Sequence, residues 1–172
     1  MEYKDIIKQQ KIYADKISTL GSNLQTIAKK LGSNQRLLRY LYYQDADPLS
    51  PNKPNVTLQQ VMHDQIRIVP LIEHKDDSTS ILSIRVGKIS PDDFNPSFAK
   101  VYFDIESFIP VTKWIIKDDN VRSLAIVQEV VSTLVGTEIE GLGTIVWEST
   151  SLNFLTEEMS AYSSLFSFTE FR

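Results

Sequence analysis

Apolar residues recur at three- and four-residue steps through the first 45 positions and largely at two-residue steps beyond position 65, so the chain divides into a helical part and a strand-rich part. Tyr3, Ile6, Ile7, Tyr13, Ile17 and Leu20, with Lys and Gln between them, predict an amphipathic helix over 2–20. Gly21 is expected to break it, with Ser22 or Asn23 capping a second short helix that carries Leu24, Ile27, Ala28 and Leu31. Gly32 is expected to end that helix as a left-handed C-cap. The triplet Gly-Ser-Asn recurs at 32–34 and opens a third helix, with Leu37, Leu38 and Leu41 inward and Arg36 and Arg39 outward.

Three prolines between Asp45 and Asn55 fix φ and predict a stiff linker, an arm that orders on assembly. Thr57 and Gln60 form a capping-box pattern for a brief helix. Ile66, Ile68 and Ile72, then Leu82, Ile84 and Val86, predict two strands joined antiparallel by the polar loop 75–78, with Pro70 marking an edge or bulge. After a second Pro-rich loop at 90–96, the alternation Ala99, Val101, Phe103, Ile105 predicts a strand of unambiguous register. Asp119 or Asn120 is expected to cap a helix whose stripe is Val121, Leu124, Val127, Val131 and Leu134, ended by Gly136. Ile145 and Trp147 mark a further strand, and residues 161–171 a last one with apolar side chains on both faces. The fold class this implies is α+β: an N-terminal helical segment and linker over 1–56, then a sheet domain over 57–172. That domain has about five mainly antiparallel strands with one helix packed across them.

At 172 residues, with 42% hydrophobic residues and a net charge of −4, the composition is that of a folding chain with its own core. The absence of cysteine removes thiol nucleophiles, thiolate metal sites and disulfides together. Residues 1–45 carry eight basic and four acidic side chains, which leaves −8 on the remainder. Such a split suits either a nucleic-acid surface or the face-to-face stacking of subunits. The first residues lack the basic-then-apolar order of a signal peptide, and no apolar run is long enough for a membrane span, so no membrane partner is expected.

A search for chemistry leads to the expectation of a binding protein, not an enzyme, with no cofactor, no metal and no small-molecule substrate. His63 and His74 lack metal-ligand spacing. The pairs Asp76-Asp77, Asp92-Asp93 and Asp118-Asp119 fall in expected turns or helix starts. Asp45 and Asp47 resemble the first ligands of a calcium loop, but Pro48 follows and the later Gly and Glu are missing. Gly141-Leu142-Gly143 lacks the third glycine of a dinucleotide loop.

Two readings of the partner follow from particular residues. Ile27, Ala28, Gly32, Leu38 and Leu41 occupy the positions of a helix-turn-helix core. On that reading Asn34, Gln35, Arg36 and Arg39 would read bases, while Lys29 and Lys30 would contact phosphates. The alternative function is therefore a DNA-binding regulator using residues 24–43. Across about two thirds of the chain, however, the order of features resembles the neck and tail-completion proteins of tailed bacteriophages. The resemblance is carried by Leu37-Leu38-Arg39-Tyr40-Leu41-Tyr42-Tyr43, Asp47-Pro48-Leu49 and Lys53-Pro54. It continues through Val101-Tyr102-Phe103-Asp104-Ile105, Trp114, the Arg122 helix, Gly141-x-Gly143-x-Ile145 and the aromatic strand Tyr162–Phe168. It implies a structural virion protein, a ring-forming connector or tail-terminator subunit at the portal-to-tail junction, assembled in the bacterial host cytoplasm. Its partners would be copies of itself and neighbouring neck, portal or tail proteins, with at most passive contact to DNA in the channel. Arg36, Arg39, Tyr42, Tyr43, Trp114, Phe166 and Phe168 are the candidate partner-binding residues.

Overall fold

The computed structural model describes residues 4–5, 7–8, 11, 17–68, 79–91, 99–140 and 143–168. Of the helix expected over 2–20, Lys4, Asp5, Ile7, Lys8, Lys11 and Ile17 are helical, and the other positions up to 16 lie outside the described residues. The break comes at the Ser18–Thr19 turn and not at Gly21, which sits inside helix α1 (Leu20–Leu31). Burying Leu20, Ile27, Ala28 and Leu31 on one face outweighs the roughly 1 kcal/mol that a helical glycine costs. Gly32 follows, but with φ −64 it is right-handed. The site requires glycine for room: a Cβ there would lie 2.7 Å from a Leu58 methyl.

Helix α2 (Gln35–Tyr42) starts as expected, with the Asn34 side chain accepting from the amides of Arg36 and Leu37. Helix α3 (Leu58–Val61) carries the capping box of Thr57 and Gln60. The chain then turns at His63, at φ 74, into β1 (Ile66–Arg67). Strands β2 (Ile81–Pro91) and β3 (Ala99–Pro110) follow. A small ribbon of β4 (Ile115–Ile116) and β5 (Asn120–Val121) turns through Asp118, at φ 63. Helix α4 (Arg122–Leu134) ends near Gly136, which takes φ +75. The last elements are β6 (Glu138–Ile139), β7 (Gly143–Leu155) and β8 (Met159–Phe168).

The sheet is six-stranded and mixed, in the order β1-β2-β3-β8-β7-β6. Its one parallel pair corrects the expected hairpin: Ile66 lies beside Leu82 and Arg67 beside Ser83, running the same way. Alternation identifies a strand and its faces but carries no information on the direction of a partner. The expected loop 75–78 lies outside the described residues. The register of β3 is the expected one. Val101, Phe103 and Ile105 face the core beside Phe168, Phe166 and Ser164 of β8.

Helix α4 packs on this face, but through a different stripe from the expected one. Arg122, Ser123, Ala125, Ile126, Glu129, Val130 and Leu134 are buried, while Leu124 is exposed and Val127 and Val131 are half-buried. The expected linker boundary near residue 56 is no gap in the packing either. Leu31, Leu38, Leu41 and Val56 share a single buried cluster with Phe103, Ile126 and Phe166. On the opposite face of the sheet Glu106, only 2% exposed, is held by Arg85 at 2.8 Å and by the amide of Asn153.

Candidate interaction surfaces

Asn34, Gln35, Arg36 and Arg39, the side chains that would read bases, are engaged within the chain. The Asn34 amide donates to Glu129 Oε2 at 2.9 Å and to Thr133 Oγ1 at 2.8 Å. Gln35 pairs in both directions with the backbone of Val56, at 2.7 and 2.9 Å. Arg36 is ion-paired to Glu129 at 2.7 Å, which raises the pKa of its guanidinium. Arg39 donates to the carbonyls of Pro48 and Ser50. Helix α4 meets Asn34 and Arg36 at the start of α2, while Val56 and the 48–50 carbonyls take Gln35 and Arg39; the Arg36 side chain itself stays 62% exposed. Lys29 and Lys30 are exposed on α1. Removing the buried acceptor, as in Glu129→Ala, is expected to cost about 1–2 kcal/mol in urea denaturation, because Asn34 and Arg36 lose a shared partner.

The 45–55 segment is docked. Arg122 is fully buried and donates to the carbonyls of Lys113, Tyr40, Tyr43 and Asp45, which ties α2 and the Pro-rich segment to the start of α4. Burial in this carbonyl cage lowers the pKa of its guanidinium. Lys53 bridges Asp45 and the Asp47 carbonyl, holding the Asp45 carboxyl below its usual range, and its ammonium stands 4.8 Å from the Tyr43 ring. Of the Ca-loop-like pair, Asp45 thus serves Lys53, and Asp47 lies 3.4 Å from Lys117. His63 is exposed in its turn, while His74, Asp76, Asp77, Asp92 and Asp93 lie outside the described residues. No group of three metal-ligating side chains forms among the described residues, and none of their helices is long and apolar enough to cross a membrane.

The candidate partner residues separate into two groups. Phe166 and Phe168 are core residues, 0% and 2% exposed, and out of reach of any partner of the folded chain. On the other face of β8, Met159 and Ala161 are buried in a second small cluster with Ile81 and Phe108. Trp114 packs against the core and donates its indole N–H to Ser123 at 2.7 Å. Tyr43 donates its hydroxyl to the Pro54 carbonyl, and Tyr42, edge-on to its ring, remains exposed.

A long open edge lies on β7. Strand β7 runs thirteen residues, to Leu155, where the pattern after Trp147 resembles a loop. Bulges between Trp147 and Ser149 and between Leu152 and Phe154 interrupt the two-residue period and hide the strand. One side of β7 pairs with β8 along its length. On the other, β6 covers only Gly143 and Thr144, and the backbone of Gly136 and Thr137 bonds Ile145. Past Ile145 this edge has no strand partner among the described residues.

The edge also presents Val146, Trp147 and Leu152, each more than 40% exposed. Trp147 is fixed in place, its indole donating to Thr150 Oγ1 at 3.0 Å and Thr150 in turn touching Ser164 at 2.9 Å. The only charge on β7 is Glu148, which Lys100 neutralises at 2.8 Å, lowering the pKa of the carboxyl. Edge strands that must stay single carry lysines, prolines or inward charges. Strand β2, near the other side of the sheet, has such devices in Arg85, Lys88, Pro91 and a bulge at Val86/Lys88; β7 has its two bulges but no lysine or proline, and its single charge is already paired.

These elements define a class: an α+β protein whose helices are clamped to one face of a mixed six-stranded sheet, with one long edge unpaired among the described residues. A family model, YomW, matches residues 34–168, from the N-cap of α2 to the end of β8, and the chain belongs to the YomW family. That family is phage-derived, which makes this a phage-associated protein. No curated protein matches the chain.

Proposed function

We propose that the chain is a structural subunit of a phage particle that assembles through protein–protein contacts at the portal-to-tail junction, with the β7 edge as its joining surface. The observation that carries this reading is the edge beyond Ile145, which has no strand partner among the described residues and carries the exposed Trp147 and Leu152. An added strand would satisfy its outward amides and carbonyls and cover the exposed aromatic side chain. Head-to-tail contacts between copies generate rings when the rotation closes. The junction itself is supported by membership of a phage-derived family together with the resemblance carried by residues 37–43 and 101–105.

Light scattering over a concentration series is expected to reveal a multi-copy species that Trp147→Lys reduces to monomer without a change in melting temperature. An unaltered chain that stays monomeric at every concentration overturns the reading. No duplex DNA affinity is expected, because the reading face of α2 is spent on Glu129, Val56 and the 48–50 carbonyls.

A further inference from the structure

A cavity of about 630 Å³ opens between α1, α3 and β1. Its floor is apolar, formed by Ala28, Leu58, Met62 and Ile68, and its charged lining is Lys29, His63 and Arg67 with no acid among the lining residues. Lys29 and His63 have no side-chain partner among the described residues, and Arg67 spends its Nε–H on the Asp64 carbonyl. His63 is held at φ 74, a conformation that non-glycine residues seldom adopt and one that is common at binding sites.

A complementary feature sits at the tip of the β7–β8 hairpin. Glu157 and Glu158 are exposed there, and neither carboxylate has an ion-pair partner among the described residues. Backbone bonds from Thr156 to Met159 and from Val111 to Glu158 hold the turn. The strand register relates the two features. Ile66–Arg67, Leu82–Ser83, Ser107–Glu106, Tyr162–Ser163 and Leu152–Ser151 lie on one line across the sheet. The basic cavity is at the β1 end of that line, and the acidic tip follows from its β7 end, five and six residues beyond Leu152 at the turn of the hairpin. The short β6 pairs at the opposite end of β7 and leaves this approach open.

We infer that the basic cavity of Lys29, His63 and Arg67 receives the Glu157-Glu158 hairpin tip of a second copy of this chain. Copies set side by side, related by a rotation about an axis along the strands, place the tip of one beside β1 of the next. The contact is heterologous, cavity to tip, and so repeats around a ring. It rests on the proposed assembly function and gives the β7 edge its neighbour.

Two charge-reversed chains test it. Glu157→Lys with Glu158→Lys makes the tip basic, and Lys29→Glu with Arg67→Glu makes the cavity acidic. Each chain alone is expected to lose self-association in light scattering while keeping its circular dichroism, since like charges then face each other. An equimolar mixture is expected to recover it, because every cavity again meets a tip of opposite sign. Should Lys29→Glu with Arg67→Glu fail to fold, Lys29→Glu alone replaces it. If either reversed chain associates like the unaltered one, or if the mixture stays monomeric, this inference is overturned. Loss of association in Trp147→Lys would then leave the assembly reading standing. An unaltered chain that never associates overturns both.

Discussion

Replacement of Arg122 by methionine is expected to lower the unfolding free energy by about 3–5 kcal/mol, read as a reduced midpoint in urea at constant slope. Methionine fills much of the same volume, so the loss isolates the polar contacts. The guanidinium now serves the carbonyls of Tyr40, Tyr43, Asp45 and Lys113, the first from the last turn of α2, the next two from the segment after it and the fourth from the turn before β4. Without it, buried acceptors are left unsatisfied at roughly 1–3 kcal/mol each, less whatever water reaches the Asp45 end. Arg122→Lys is expected to restore only part of the loss, because one ammonium cannot span carbonyls on two sides. A variant as stable as the unaltered chain would show that the cage is not what holds the helical part to the sheet.

Phe103→Ala is expected to cost a similar amount, about 3–5 kcal/mol, with a fall in melting temperature on the order of 10 °C. Phe103 is fully buried at the centre of β3, and its ring stacks on Phe166 at 5.2 Å and on Phe168 at 4.7 Å. Truncation opens a cavity in the one layer that α4, β3 and β8 share, and removes two aromatic contacts beyond the lost area. Phe103→Leu, which keeps most of the volume, is expected to lose about half as much. Equal losses for the two substitutions would mean that packing around Phe103 does not depend on filling that space.

These two residues mark how far the amino-acid pattern can be read. Phe103 announces itself, because Val101, Phe103 and Ile105 alternate with Tyr102 and Asp104 and a strand buried on one face must alternate. Arg122 does not. An apolar stripe drawn through helix 122–134 passes through Leu124, Val127 and Val131, and excludes Arg122 and Glu129 as polar. The fold buries those two because each meets partners distant in sequence: the Tyr40 carbonyl for Arg122, and Asn34 with Arg36 for Glu129. A polar group is buried when its hydrogen bonds are supplied, and periodicity is blind to the supplier.

The same holds for the candidate surface. Trp147 and the acidic pair Glu157-Glu158 are visible in the chain, but the length of β7 is masked by its two bulges, and its openness depends on how little of it β6 covers. Arg36 and Arg39 look like outward residues on a helix; Arg36 stays exposed but is ion-paired to Glu129 of α4, and Arg39 is turned onto the carbonyls of the 45–55 segment.

Local periodicity therefore determined the α+β class, the helices carrying Leu24–Leu31 and Leu37–Leu41, the capping box at Thr57, the register of β3 and the helix ending near Gly136. These follow from backbone geometry and from burial of nearby side chains, interactions that span a few residues. Tertiary structure alone decided the parallel placement of β1, the buried face of α4, the docking of the Pro-rich segment and the exposure of the β7 edge. Each of those depends on which distant group completes a hydrogen bond or covers a surface, and residue spacing along the chain does not encode that.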